Sequence, residues 1–247
     1  MCKIDVVGFG PGDAAHMTGK AREAIEKADV VIGYTTYIRI LRQSFPDACY
    51  MDTPMTKEIE RCRMAVDMAV DGKRVALVSS GDAGVYGMAG ILLQIVEKEA
   101  PDLPVEVIPG VTAANTGAAV LGAPLMNDYA VISLSDRMTP ISAIMRRVEC
   151  AAMGDFVLAL YNPKSKNRTG YLEQAARIIG QYRSGDTPVG VVRHGGRPEE
   201  AAYLTTLAAL PDAFVDMFSI VIVGNSQTYV KDGRMITPRG YESKEAF

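Results

Sequence analysis

The sequence predicts an α/β protein of two domains with mostly parallel sheets. Short apolar runs rich in β-branched residues alternate with longer stretches in which apolar residues recur every three to four positions. Most of the short runs are apolar throughout, which is typical of strands that are covered on both faces. Regular alternation of strands and helices favours a parallel sheet, because parallel neighbours are joined by a helical crossover.

The short runs are predicted as β-strands because Val, Ile and Leu dominate them. They span residues 4–7, 30–32, 75–79, 105–108, 130–134, 156–161, 189–192 and 219–223. A small-residue segment ends at the tripeptide GAP of residues 122–124, and a domain boundary is expected close to it. We therefore predict domains over residues 1–118 and 119–247.

Two of the intervening helices show their period clearly. In residues 57–70 one face carries Ile59, Cys62, Val66, Ala69 and Val70. The charged residues of that helix, including Arg61, fall elsewhere and are expected away from the core. In residues 171–182 the apolar face carries Leu172, Ala175, Ala176 and Ile179.

Composition and charge narrow the classes of function. The chain has 247 residues, of which 48% are hydrophobic and 22% are charged, and its formal net charge is −3. A general attraction to nucleic acid is not expected from this balance. Four scattered Cys and two His give no metal-site spacing, so we expect no metal and a reducing cytoplasm. The longest uncharged stretch, residues 107–127, contains two Pro and two Asn, and the N-terminus has no secretory pattern, so no membrane partner is expected.

The loop GFGPGD of residues 8–13 follows the first predicted strand. Its first two glycines match the dinucleotide fingerprint G-x-G-x-x-G, but Asp13 occupies the third glycine position. Pro11 also lacks an N–H group where the fingerprint helix would begin to donate to a pyrophosphate. A Rossmann-type oxidoreductase is therefore disfavoured, and a tight turn that requires glycine is the structural alternative.

Two further small-residue loops follow predicted strands. They are SSGDAGVYGMAG at residues 79–90, which contains the carboxylate of Asp82, and PGVTAAN at residues 109–115. In α/β sheets, ligands bind outside the carboxyl ends of the strands. Three such loops at strand ends predict one extended ligand crevice.

These three motifs, in this order and spacing, resemble the tetrapyrrole methylase family. The resemblance continues through AVISLSD at 130–136, LYNP at 160–163, TPV at 187–189 and VRHGGRPEE at 192–200, and it covers essentially the whole chain. Within the family, the motifs are most similar to members that methylate C-17 of a cobalamin precursor. One departure is Ala83, where the family often has proline; alanine keeps the loop small but does not fix φ.

The resemblance implies a two-domain class III methyltransferase fold that binds S-adenosylmethionine between the domains and releases S-adenosylhomocysteine. It also implies a cytoplasmic homodimer that acts on a tetrapyrrole. This cofactor has no phosphate, in agreement with the absence of a P-loop lysine motif. The family's cofactor contacts carry over to Pro11, Gly81, Asp82, Val85, Tyr86, Thr112, Ala113, Tyr161, Asn162 and Gly195.

The implied activity is C-methylation at C-17 of precorrin-3B or its cobalt analogue, with ring contraction to (cobalt-)precorrin-4. Sibling activities at C-11 or C-20 stay open, as does a non-catalytic nucleotide-binding protein. Asp82 is the candidate base or hydrogen-bonding group for the ring contraction. Its alternative role is to fix the loop or contact the cofactor.

Cationic side chains near two motifs are candidate ligands for the acetate and propionate groups of a tetrapyrrole. They are Lys164, Lys166 and Arg168 after LYNP, and Arg137 after AVISLSD. A solvated loop is the alternative for each. His194 is either an acid or base beside the cofactor or a hydrogen-bonded structural residue.

Overall fold

The structure is a computed structural model that describes residues 2–165 and 169–241. The chain divides into two compact units, Met1–Ala113 and Ala114–Phe247. Its strands are β1 (Lys3–Gly8), β2 (Val30–Tyr34), β3 (Tyr50–Thr53), β4 (Arg74–Ser79), β5 (Val105–Ile108), β6 (Gly122–Ala123), β7 (Tyr129–Ser133), β8 (Val157–Tyr161), β9 (Pro188–Arg193), β10 (Ala201–Thr206), β11 (Ser219–Val223), β12 (Tyr229–Lys231) and β13 (Arg234–Ile236). Its α-helices are α1 (Gly19–Glu26), α2 (Thr35–Ser44), α3 (Glu58–Val70), α4 (Ala89–Glu99), α5 (Ala113–Leu121), α6 (Ile141–Met153) and α7 (Tyr171–Ile179).

The first unit is a parallel sheet covered by helices on both faces. Its strand order is β3-β2-β4-β1-β5, and every pairing in it is parallel, as predicted. On β4, Val75 and Leu77 pack into the core formed with α3 and α4, whereas Ala76 and Val78 pack into the core formed with α1 and α2. Alternate residues of one strand thus fill two separate cores, which explains why the strands are apolar throughout.

The second unit contains a mixed sheet of order β10-β9-β11-β8-β7. Only β7 and β8 pair in parallel there; the pairings β10–β9, β9–β11 and β11–β8 are antiparallel. The α/β fold class is confirmed, but the prediction of mostly parallel strands does not hold for this sheet. The seven residues 194–200 that join β9 to β10 are too few for a helical crossover and allow a hairpin instead.

Helix α3 differs from its predicted amphipathic pattern. Ile59 and Val70 were expected on the buried face, but they are 57% and 65% exposed. Arg61 was expected away from the core, yet it is only 3% exposed. The buried stripe is Arg61, Cys62, Ala65, Val66 and Ala69, because small residues let this helix pack closely on the sheet. In α7 the four predicted core residues are all buried.

The predicted boundary at 118/119 falls inside helix α5, whereas the two units divide at 113/114. The helix belongs almost entirely to the second unit because Ala114, Ala118 and Leu121 pack there against Val192 and Ile220. Small residues along α5 therefore serve helix packing and do not form a linker. Within residues 2–165 and 169–241, no helix is both long and apolar enough to cross a membrane.

The closest packing on α5 yields a stability prediction. A Cβ atom built on Gly190 of β9 lies 2.3 Å from Cδ1 of the buried Leu121 side chain. We expect Gly190→Ala to lower the free energy of unfolding by about 1–3 kcal/mol through overpacking. Urea denaturation measures this change. Gly90→Ala is the control, since nothing lies within 4 Å of its added Cβ in the first turn of α4, and its stability should stay equal or rise. Equal stability of both variants would show that Leu121 moves aside freely.

Candidate functional site

In the first unit, loops after β1, β4 and β5 meet where the strands end, an edge that we call the carboxyl edge. The β1 loop is residues 9–13, the β4 loop is residues 80–88, and the β5 loop is residues 109–112. The β1 and β4 loops form a two-residue bridge: the Gly10 amide donates to the Gly81 carbonyl at 3.0 Å, and the Gly81 amide donates to the Gly10 carbonyl at 2.8 Å. Both glycines have left-handed φ angles, 74° and 71°. The bridge holds two of the predicted loops together without any side chain.

The junction of the three loops leaves no room for side chains. A Cβ atom on Gly110 would lie 2.2 Å from the Gly81 carbonyl oxygen and 2.4 Å from the Gly8 carbonyl oxygen. A Cβ atom on Gly8 would lie 2.8 Å from three backbone atoms, including the amide nitrogen of Ala83. Because these neighbours are all backbone, the clash cannot be relieved by a rotamer change. The three glycines set how closely the loops approach.

Asp82 fastens the β4 loop to the β5 loop. Its Oδ1 accepts a hydrogen bond from the Gly84 amide at 2.8 Å, and its Oδ2 accepts one from the Gly110 amide at 2.9 Å. The side chain therefore performs the loop-fixing role that the sequence left open as its alternative. Charge-assisted bonds to backbone amides are among the stronger hydrogen bonds of a folded protein. A role of Asp82 as a base stays a prediction.

The other predicted cofactor residues of the first unit lie on the same three loops or, for Ala113, directly after the β5 loop. Tyr86 is 57% exposed and has a left-handed φ of 54°, which turns the β4 loop outward at its tip. Val85 and Thr112 are half-buried, Ala113 is exposed at the start of α5, and Pro11 is buried. The loop tip thus offers apolar and aromatic surface, while the glycine junction below it is rigid backbone.

The predicted residues of the second unit lie at the end of β8. The Tyr161 hydroxyl accepts a hydrogen bond from the Ala114 amide at 2.8 Å, so it caps the first turn of α5. Asn162 has a left-handed φ of 51°, and its side-chain nitrogen Nδ2 donates to the Ser133 hydroxyl at 3.0 Å. Sequence reasoning did not single out Ser133, although it lies inside the quoted motif AVISLSD. It fixes the orientation of the Asn162 side chain.

Gly195 follows β9 in a loop that turns at His194. His194 also has a left-handed φ, 49°, and its ring stacks on Phe218 with 4.9 Å between centroids. A Cβ atom on Gly195 would meet Val192 at 3.2 Å and Thr116 at 3.3 Å. The stacking favours the structural interpretation of His194. A side chain at Gly195 would force Val192 or Thr116 to shift by a few tenths of an ångström, so glycine favours close packing of this loop on α5.

The predicted substrate-binding cations are only partly described. Arg137 is exposed in the turn after β7, and Lys164 is half-buried. Lys166 and Arg168 lie outside the described residues. Over residues 2–165 and 169–241, no group of three or more His, Cys, Asp or Glu could hold a metal ion.

The chain is similar to a family of known proteins over most of its length. The model of the family Tetrapyrrole (Corrin/Porphyrin) Methylases matches residues 3–211. A protein of Salmonella typhimurium named probable cobalt-factor III C(17)-methyltransferase is 49% identical over 238 residues, which cover 96% of this chain and 99% of that protein. Two other curated relatives, from Priestia megaterium and Archaeoglobus fulgidus, are longer, and the chain spans about half of their length.

Solved structures show the same fold. The crystal structure of the methyltransferase CobJ superposes with a TM-score of 0.89 at 33% identity, over 96% of this chain and 100% of that one. A uroporphyrin-III C-methyl transferase from Thermus thermophilus, complexed with S-adenyl homocysteine, has a TM-score of 0.72 at 22% identity, over 90% of this chain and 97% of that one. At this lower identity the second likeness concerns the fold alone.

The bonds of Asp82 generate a prediction on stability. In Asp82→Asn one carboxylate oxygen becomes an NH₂ group that faces a backbone N–H donor, so one loop bond is lost. We expect the free energy of unfolding to fall by about 1–3 kcal/mol. Chemical denaturation measures it, with Asp102→Asn at an exposed position as the control, which should change little. If both variants unfold like the parent protein, Asp82 does not hold the loops together.

Proposed function

The chain belongs to the tetrapyrrole (corrin/porphyrin) methylase family, and from this we propose that it transfers a methyl group from S-adenosylmethionine to C-17 of a cobalamin precursor, with ring contraction to (cobalt-)precorrin-4. The observation that carries the proposal is the near-full-length similarity to the Salmonella relative, whose name specifies C-17. The names of that protein and of a second relative favour the cobalt-containing precursor as substrate. A cytoplasmic homodimer, which the sequence resemblance implies, is part of the proposal.

The residues of the first unit fit an adenosyl ligand that carries no phosphate. The β4 loop contains no lysine or arginine, and its tip consists of the half-buried Val85 and the exposed Tyr86. Gly81 and Thr112 bring backbone donors and acceptors close together, since the Gly81 Cβ position lies 3.7 Å from Cα of Thr112. Small residues allow a ligand to approach the main chain, while the tip supplies apolar contact. We assign cofactor binding to these residues with Pro11, Asp82 and Ala113.

In the second unit the family's contacts carry over to Tyr161, Asn162 and Gly195. Tyr161 and Asn162 are held by hydrogen bonds to Ala114 and Ser133, so their positions are fixed before any ligand binds. Fixed side chains lower the entropic cost of binding and hold reactants in one geometry. When bound, the cofactor supplies an electrophilic methyl group on a sulfonium.

The protein's own contribution is positioning. An electron-rich tetrapyrrole carbon needs no nucleophile from the protein, and good orientation alone can contribute effective molarities of about 10⁵–10⁸ M. The hydrogen bonds from backbone amides to Asp82 agree with a positioning role of the protein, because they make Asp82 a residue that shapes the site. Asp82 stays our candidate for a hydrogen bond to the reacting ring during contraction.

The decisive experiment is turnover with a defined substrate. Incubation with cobalt-factor III and methyl-¹³C-labelled S-adenosylmethionine should give a product with one added labelled methyl group, which NMR places at C-17. Thermal unfolding tests cofactor binding separately. S-adenosylhomocysteine at 100 times its Kd should add about 2.7 kcal/mol to the free energy of unfolding, and NADH should add none. A label at C-11 or C-20 would make the chain a sibling enzyme. Binding without transfer would make it a nucleotide-binding protein.

The cations after LYNP generate a prediction on substrate binding. Replacing Lys164, Lys166 and Arg168 by Ala should raise the apparent KM for the tetrapyrrole and make it less sensitive to salt. Each exposed contact contributes modestly, about 1 kcal/mol or less, so all three are removed together. Calorimetry should find the affinity for S-adenosylhomocysteine unchanged. The control removes the same charge elsewhere, at the exposed Lys73, Lys98 and Arg234. A large loss of cofactor affinity with normal substrate binding would assign this loop to the cofactor.

A further inference from the structure

Arg61 of α3 connects three segments at the carboxyl edge of the first sheet. Its Nη2 donates to the carbonyl of Pro54 at 3.1 Å and to that of Thr53 at 3.4 Å, where β3 ends. Its Nη1 lies 3.6 Å from Sδ of Met88, the last residue of the β4 loop. The guanidinium carbon is 6.0 Å from the ring centre of Tyr34, where β2 ends. One buried side chain thus contacts the segments that follow three neighbouring strands.

Within the described residues, the hydrogen-bond partners of Arg61 are neutral. Among the residues that the structure describes, no carboxylate forms an ion pair with it, although Glu58 lies near enough to favour its charged form. Burial lowers the pKa of Arg61, and it raises the pKa of the adjacent Cys62 thiol to about 12, so that thiol supplies no negative charge. Burial of a cation without an anionic partner is costly.

Two buried polar atoms at this place lack hydrogen bonds within the described part of the chain. They are Nε of Arg61 and Oγ1 of Thr53. Buried polar atoms in folded proteins are nearly always paired, and exceptions are concentrated where a local rule is broken for function. The end of β3 is therefore less stable than an apolar packing of the same volume would be.

Through Met88, Arg61 acts on the turn that carries the proposed cofactor contacts. The Met88 amide donates to the Ser79 hydroxyl at 3.2 Å, and the Ala89 amide donates to the Ala83 carbonyl at 3.0 Å. A Cβ atom on Gly87 would lie 2.5 Å from that same carbonyl oxygen. Residues 83–89 consequently form a compact turn, which projects Val85 and Tyr86 and is anchored at Met88.

The segment after β3, residues 54–57, is held by the same guanidinium. It contains Thr56, a β-branched residue with a left-handed φ of 76°. This conformation is unfavourable for such a residue and persists only where the surroundings impose it. The bond from Arg61 to the Pro54 carbonyl fixes the start of that segment. Two loops of the carboxyl edge therefore share one anchor.

We propose that Arg61 is a positioning residue for methyl transfer, which holds the β4 loop through Met88 so that Val85 and Tyr86 present one fixed surface to the cofactor. The inference rests on the proposed function. In this proposal Arg61 touches neither the substrate nor the cofactor; it limits the conformations of the β4 loop, which contacts the cofactor. Loss of Arg61 should let the β4 loop adopt more conformations, so that cofactor orientation suffers more than the stability of the fold.

Arg183 offers a matched control. It is 8% exposed and donates to the backbone carbonyls of Phe156 and Gly224, and its Nε also lacks a hydrogen bond within the described residues. These carbonyls lie at the start of β8 and the end of β11, at the opposite end of β8 from Tyr161. Oδ1 of Asp155 lies 3.8 Å from Nε of Arg183. Arg183 thus shares with Arg61 the burial and the bonds to backbone carbonyls, differs from it by the nearby carboxylate of Asp155, and anchors no loop that bears predicted site residues.

The test compares Arg61→Met with Arg183→Met in the full chain. Both should unfold more easily. Per folded molecule, Arg61→Met should lose about 10- to 100-fold in kcat/KM for S-adenosylmethionine, whereas Arg183→Met should match the parent protein. Arg61→Lys should recover part of the loss, since an ammonium can reach the carbonyls but cannot span them and Met88. If Arg61→Met loses no more activity per folded molecule than Arg183→Met, Arg61 is only structural.

The activity of a Met88 variant and hydrogen exchange of the β4 loop test the same proposal independently. Should Arg61→Met fail to fold, Met88→Leu removes the sulfur and keeps the volume; unchanged kcat/KM in both Met88→Leu and Arg61→Lys would overturn the proposal. Hydrogen exchange without ligand should be faster in residues 80–88 of Arg61→Met, or of Arg61→Lys, than in the parent protein and Arg183→Met. If the parent protein neither binds S-adenosylhomocysteine nor transfers methyl groups, the proposed function fails, and exchange still decides whether Arg61 anchors the loop.

Discussion

Backbone meets backbone where the loops after β1, β4 and β5 cross, and the arrangement of the first unit depends on that contact. Gly8, Gly81 and Gly110 approach so closely that a single added carbon on Gly8 or Gly110 would overlap main-chain atoms. The parallel sheet brings the three strand ends side by side, and the absence of side chains lets them join. The bonds of Asp82 then close the junction from the β4 side. The exposed Tyr86 at the tip of the β4 loop is thus supported by a junction that cannot shift without breaking these contacts.

Strands that consist mainly of apolar residues were predicted from the sequence, and strands of mixed composition were not. Strands β5 and β11 were predicted with the observed bounds, because Val and Ile make up most of each. Strands β3 and β10 were missed, since YMDT and AAYLTT mix polar and small residues that carry no clear period. The hairpin of β12 and β13 turns at Asp232–Gly233, a dipeptide that is a recognised hairpin signal and could have been used.

The candidate site shows the same division. Asp82 was found because it lies in a motif. Its partner Gly84 is only two residues away, but its partner Gly110 is 28 residues away, a separation that periodicity does not reveal. Arg61 was assigned to the polar face of its helix because charge alone places a residue outside. Its burial follows from carbonyls at the end of β3, a strand that was itself not predicted. Because β3 was missed, the partners that allow Arg61 to be buried were missed as well.

Three motif loops turn at a residue that is not glycine yet has a left-handed φ: Tyr86, Asn162 and His194. For residues with a Cβ atom, this conformation costs roughly 1–2 kcal/mol. Glycine would relieve that cost at each position but would erase the aromatic, amide or imidazole group that the turn displays. At Tyr86 and Asn162, which are proposed cofactor contacts, selection for stability would therefore oppose selection for ligand binding. Directed evolution that selects for heat resistance alone would favour glycine at these two positions and yield stable variants that bind the cofactor poorly.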